Sequence, residues 1–75
     1  KKVGKYAETV GDGVSDSFEL THNLNTTDIC SVYAYNIATG AEIVPTTTKV
    51  INANDLQVVF AVAPATDSTR VIVSA

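Results

Sequence analysis

The sequence is poor in cysteine, and it lacks tryptophan and methionine altogether. A single cysteine, Cys30, excludes an intrachain disulfide. Small extracellular domains usually add disulfides to compensate for a small core. We therefore expect folding in a reducing cytosol. We interpret Cys30 as a small hydrophobe that faces the core, because free cysteines are often buried.

Positive charge is also scarce. The 75 residues include five Lys and Arg, and the net charge is −3. Lys1, Lys2 and Lys5 lie at one end, and the other two are isolated, whereas binding to a phosphate backbone needs a cluster of basic side chains. The sequence predicts no nucleic-acid partner. It also has no apolar run of about 18 residues and no signal-peptide pattern, so we predict no membrane span.

What remains is typical of one small folded domain. Apolar residues make up 45% of the chain and charged residues 17%, which is too apolar and too weakly charged for a disordered tail. We predict a single domain over residues 1–75. Because the chain lacks an initiator Met, we interpret it as a module or processed part of a longer protein. A chain this short buries only roughly 60% of its unfolded surface and has little stability to spare, so contacts with neighbours would help it.

Residues that favour strands recur along the whole chain, and no helical periodicity stands out. The alternation of apolar and polar residues predicts an all-β fold, a small antiparallel β-sandwich or partly closed barrel of about six strands. The predicted strands cover Lys5–Val10, Phe18–His22, Ile29–Ile37, Glu42–Ile51, Leu56–Val62 and Arg70–Ser74. Within the fifth strand, Leu56, Val58, Phe60 and Val62 share one face. The last strand is apolar enough to be a central or closing strand.

Turn residues separate these strands. Gly11-Asp12-Gly13 accepts positive φ angles and predicts a tight turn. Ala38-Thr39-Gly40 predicts a short hairpin loop with Gly40 in the left-handed conformation. Residues 52–55 and 63–68 predict two further hairpin connections, and Pro64 belongs in the second because it cannot donate to a ladder.

The sequence offers no recognisable catalytic, cofactor or metal motif. His22 is the single histidine, and we expect it to close a strand and hydrogen-bond to the following turn rather than act in catalysis. The aspartates lack the regular spacing of a calcium loop, and we interpret them as turn residues. These aspartates are Asp12, Asp16, Asp28 and Asp55. We therefore predict that the chain is not an enzyme.

Tyr33 and Tyr35 are the candidate contact residues because they share one face of a strand. Such an aromatic pair can bind sugar or a partner protein. It can also close one side of a small core, which is the interpretation that we favour here. The alternate face, Cys30, Val32 and Ala34, is apolar too. A strand that is apolar on both faces suits a central position in a sheet or an interface with another subunit.

Several segments resemble a small β-domain of tailed-bacteriophage virion proteins. Residues 6–13 (YAETVGDG) and 17–24 (SFELTHNL) resemble that family's "IGDG" turn and "SFTVTHNL" strand. Residues 27–43 resemble its "TRDVVVQVYDNATGEEV" segment, and residues 56–73 resemble its "TVTVTFAVAPAANSYRVVVIG" ending. The similarity covers nearly the whole chain. It departs at Asn25, where the family has Gly after "HNL", and at Thr27, where the family has a basic residue.

The resemblance implies a structural part of a virion, located in the tail, a tail fibre or the baseplate, without enzymatic activity and without a cofactor. The implied partners are sister copies and other virion proteins, and the implied location is the virion after assembly in the bacterial cytoplasm. Two alternatives stay open. One is a capsid decoration or cement protein, and the other is a module that binds host-surface glycan through Tyr33 and Tyr35.

Overall fold

Six antiparallel strands form the whole of the regular structure in the computed structural model, which describes residues 4–75. The strands are β1 Lys5–Val10, β2 Ser17–Thr21, β3 Ser31–Asn36, β4 Thr47–Val50, β5 Asp55–Val59 and β6 Thr69–Ser74. They make two three-stranded sheets. The first sheet has the order β1-β6-β3, and the second has the order β2-β5-β4. Two packed sheets of this kind make a small β-sandwich, so the predicted all-β fold is confirmed.

The core lies between the two central strands, β6 and β5. Every second residue of β6 faces inward, and Thr69, Val71 and Val73 are fully buried. Leu56 and Val58 of β5 are also fully buried. The last strand was predicted to be a central or closing strand, and the structure shows that it is central. The buried apolar cluster consists of Val10, Leu20, Ala34, Leu56, Val58, Phe60, Val71 and Val73.

Glycines hold two of the predicted turns. Gly11 and Gly13 have φ values of 124° and 80°, and Gly40 has a φ of 77°. Asp12 lies between Gly11 and Gly13, and one of its carboxylate oxygens accepts hydrogen bonds from the backbone N–H groups of Val14 and Ser15. This is the local hydrogen bonding that favours Asp in turns, so both turn predictions are confirmed.

The fourth predicted strand, residues 42–51, is wrong as a single element. Its first part pairs with the first sheet through a bridge from Glu42 to Tyr35 and a hydrogen bond from the Ile43 N–H to the Ala34 C=O. Its second part is β4, which pairs with β5 in the second sheet. Pro45 lies between the two parts. Because proline has no N–H to donate to a ladder, the chain leaves one sheet there and enters the other.

The fifth predicted strand ends earlier than expected. Leu56, Val58 and Phe60 face the core as predicted, but Val62 is 80% exposed. Strand β5 ends at Val59, and the chain then crosses to the first sheet. Pro64 lies in this crossing, as predicted. The crossing is not a hairpin, because β5 and β6 belong to different sheets; residues 52–55 do form a hairpin, between β4 and β5.

Candidate interaction surface

Tyr33 and Tyr35 lie on the outer face of the first sheet. Ala34, between them, is buried, and their rings are 5.9 Å apart between centroids with a 35° tilt. Tyr33 is 42% exposed. The interpretation that this pair closes the core is therefore wrong. The other face of β3 supplies the core, because Val32 and Ala34 are small enough to fit against the second sheet.

Residues from the two neighbouring strands extend the tyrosine face. The register places Ala7, Ile72 and Tyr33 in one cross-strand row and Thr9, Arg70 and Tyr35 in the next. Arg70 donates from Nη1 to the Thr9 hydroxyl at 3.0 Å. This bond holds the guanidinium on the outer surface of the sheet, on the β1 side of β6. The surface thus combines an aromatic pair, an aliphatic side chain and a fixed cation.

The edge position of β3 corrects one of two interpretations. The sequence suggested a central strand or an interface with another subunit, and the structure excludes the central position because β3 lies at the edge of the first sheet. Residues 41–43 bond to the edge at Ala34 and Asn36, so they cover only the second half of β3. The first half faces an open groove.

That groove runs between β3 and β4 and has a volume of about 340 Å³. Its apolar lining comes from both sheets, since Ile29 and Val32 contribute from one side and Val50 and Leu56 from the other. Val50 pairs with Leu56 and shares its inward face, yet Val50 is 40% exposed. The sandwich is therefore open along this side. Sequence analysis missed this groove; the break at Pro45 was the available signal, because it shortens β4.

Cys30 lies in the lining of the same groove and is exposed. The prediction that it faces the core is wrong. It precedes β3, and its backbone N–H bonds to the Ser74 C=O at 2.8 Å. At this edge, no strand of the second sheet covers the side chain.

His22 has the structural position that the sequence predicted. It directly follows β2, is 3% exposed, and accepts the Leu24 N–H at Nδ1 over 3.0 Å. The imidazole therefore carries its proton at Nε2 in the neutral form. Within residues 4–75, that buried Nε2 has no hydrogen-bond partner. Asn23 and Asn25, which follow, have φ values of 56° and 54°, a left-handed conformation that asparagine adopts more readily than most residues.

Two of the predicted turn aspartates have displaced pKa values. Hydrogen bonds from the Ser15 and Val14 backbone lower the pKa of Asp12. Hydrogen bonds from the Thr21 hydroxyl and from Asn52 lower the pKa of Asp55, which joins β2, the β4–β5 turn and β5. Both carboxylates therefore serve the fold locally. In the described part of the chain, no three His, Cys, Asp or Glu side chains are grouped so that they could hold a metal ion.

On the first strand, Tyr6 donates its phenol proton to Glu8, and this bond raises the pKa of Tyr6, with burial adding to the effect. Tyr6 packs against the core cluster from the β1 edge. The pair therefore closes the side of the sandwich that is opposite to the groove.

No family model, no curated protein and no solved structure matches the chain. Across residues 4–75, no helix is long and apolar enough to cross a membrane.

Proposed function

We propose that this chain is a structural module of a tailed-bacteriophage particle, located in the tail, a fibre or the baseplate, and that it acts through contacts between proteins. The assignment to a phage particle rests on the resemblance of residues 6–24, 27–43 and 56–73 to a virion β-domain. The observation that supports contact as its role is the open side of the sandwich, where Val50 and the groove leave apolar surface exposed. Exposed apolar surface of this kind marks interaction sites in small soluble domains.

The assignment to a phage particle is tested by locating the chain on intact particles. Antibody labelling or cryo-electron microscopy of intact particles from a host that carries the gene should place it on the tail, fibre or baseplate. Copies on the head would instead identify a capsid decoration or cement protein, which is the alternative within the same proposal. Absence from every particle would overturn both.

The tyrosine face supports a second candidate, a module that binds glycan on the host surface. An exposed aromatic ring on the same surface as a fixed hydrogen-bonding group is a common way to stack and orient a sugar, and Tyr33, the half-buried Tyr35 and Arg70 provide these groups on one sheet face. A glycan array should then give a signal that Tyr33→Ala abolishes. Val62→Ala is the matched control, because Val62 is exposed on another part of the molecule. No signal, or a signal that Tyr33→Ala leaves unchanged, would dispose of this site.

A further inference from the structure

Both edges of the second sheet direct backbone groups outward. Ile51 and Asp55 form a hydrogen-bonded pair between β4 and β5, in which the Ile51 N–H donates to the Asp55 C=O. Phe60 and Asp16 form such a pair between β5 and β2, in which the Phe60 N–H donates to the Asp16 C=O. Hydrogen-bonded residues alternate along each antiparallel pair. Thr48 and Val50 on β4 therefore point their N–H and C=O groups away from the sheet. Alternate residues of β2 do the same, and these are Ser17, Glu19 and Thr21.

The two edges match each other in direction. Strands β2 and β4 are both antiparallel to β5, so they are parallel to each other. A second copy shifted sideways would place its β2 beside β4 as a parallel neighbour. In a parallel pair of strands, a residue that directs its N–H and C=O toward the other strand lies opposite a residue that directs its own N–H and C=O away from it. Several alignments two residues apart satisfy this rule, and one of them puts Thr48 opposite Phe18, Lys49 opposite Glu19 and Val50 opposite Leu20.

Charge also matches in this alignment. Lys49 and Glu19 are exposed and lie in one cross-strand row on the outer face, with Gln57 between them. Within one copy they are two strand spacings apart, about 10 Å between backbones. Across the junction between copies they would be direct neighbours, about 5 Å apart between strands. Opposite charges on adjacent strands stabilise the pairing.

The inward faces match as well. Thr48 and Val50 are exposed beside the groove, although they point to the same side as the buried Leu56 and Val58. The half-buried Phe18 points inward from the opposite edge and packs against the core of its own copy. In the parallel alignment, Phe18 of one copy would lie next to Thr48 of another. The apolar layers of the two copies would then be continuous.

We propose that copies of this chain associate head to tail, with the β4 edge of one copy paired in parallel with the β2 edge of the next and with Lys49 facing Glu19. Because this contact uses two different surfaces, it generates rings or filaments rather than a closed dimer. The alternative is that Lys49 protects a free edge, since a lysine on an edge strand commonly hinders pairing with a strand of another molecule.

Sedimentation velocity over a range of chain concentrations tests this proposal. We expect the wild-type chain to form oligomers that added salt weakens. Lys49→Glu and Glu19→Lys should each lower the association constant about tenfold, because attraction becomes repulsion. The double variant should restore association.

Thr48→Pro tests the backbone pairing separately. The Thr48 N–H points outward, so proline there leaves the bonds to β5 in place, as edge strands allow, and it should abolish association. Circular dichroism checks that each variant keeps its strands. A monomer at every concentration, a double variant no better than the single ones, or stronger association of Lys49→Glu would overturn the proposal. These outcomes are independent of where the chain is located on a particle.

Discussion

His22 and Leu24 are joined by a hydrogen bond of 3.0 Å, in which the Leu24 backbone N–H donates to Nδ1 of the buried imidazole. The His22 N–H in turn bonds to the Asn54 C=O at 2.8 Å. One residue thus anchors the connection after β2 to the β4–β5 turn. The single histidine of the chain has a structural role.

Two substitutions at His22 should distinguish the contribution of its hydrogen bond to stability from the contribution of its packing. We expect His22→Ala to lower the free energy of unfolding by about 2 kcal/mol, because it leaves the Leu24 N–H unpaired and opens a cavity. His22→Asn offers an oxygen to the same N–H and should recover roughly 1 kcal/mol. Urea denaturation followed by circular dichroism measures both. Equal losses for the two variants would show that the hydrogen bond contributes nothing.

Two glycines with positive φ should differ in their tolerance of alanine. At Gly11, a Cβ would collide with the carbonyl oxygen of Ala65, whereas at Gly40 no heavy atom lies within 4 Å. We expect Gly40→Ala to cost about 1 kcal/mol, the price of a left-handed conformation alone. Gly11→Ala should cost about 4 kcal/mol, because backbone must move as well. Thermal unfolding of the two variants provides the comparison, and similar losses would contradict the close contact at Gly11.

The end of β5 is tested by two valines. Val58 is fully buried and Val62 is 80% exposed, although both belong to one alternating run in the sequence. We expect Val58→Ala to lower the free energy of unfolding by about 2 kcal/mol. Val62→Ala should change it by less than about 0.5 kcal/mol. If urea denaturation gave comparable losses, the strand would continue beyond Val59.

Acid should weaken the turn held by Asp12. Its pKa is lower in the folded chain than the ordinary value of about 3.9. The ionised carboxylate therefore adds stability above about pH 4, and this contribution is lost as the pH falls through the folded pKa. Urea midpoints measured from pH 5 to pH 2 should fall, and Asp12→Asn should reduce that fall because it cannot titrate. An identical fall in the variant would exclude Asp12 as a contributor.

The local features of the chain were predictable from the sequence. Each depends on residues that are near neighbours, such as the alternation in Arg70–Ser74 or the glycines that flank Asp12. The break at Pro45 and the early end of β5 were less visible, because they depend on where the chain changes sheets. Alternation alone cannot tell a strand that continues from one that crosses.

The sequence by itself determined an all-β chain with most of its strands, its two glycine turns and the role of His22, since side-chain periodicity and φ preferences act locally. Only the tertiary structure decided which face of β3 is inside and which edges are open. Both faces of β3 are apolar, so hydrophobicity alone does not decide which face is buried. The smaller Val32 and Ala34 side chains pack against the second sheet, and the larger Tyr33 and Tyr35 rings lie outside. The same placement at an edge left Cys30 and Val50 exposed, because none of the six strands described in residues 4–75 covers them.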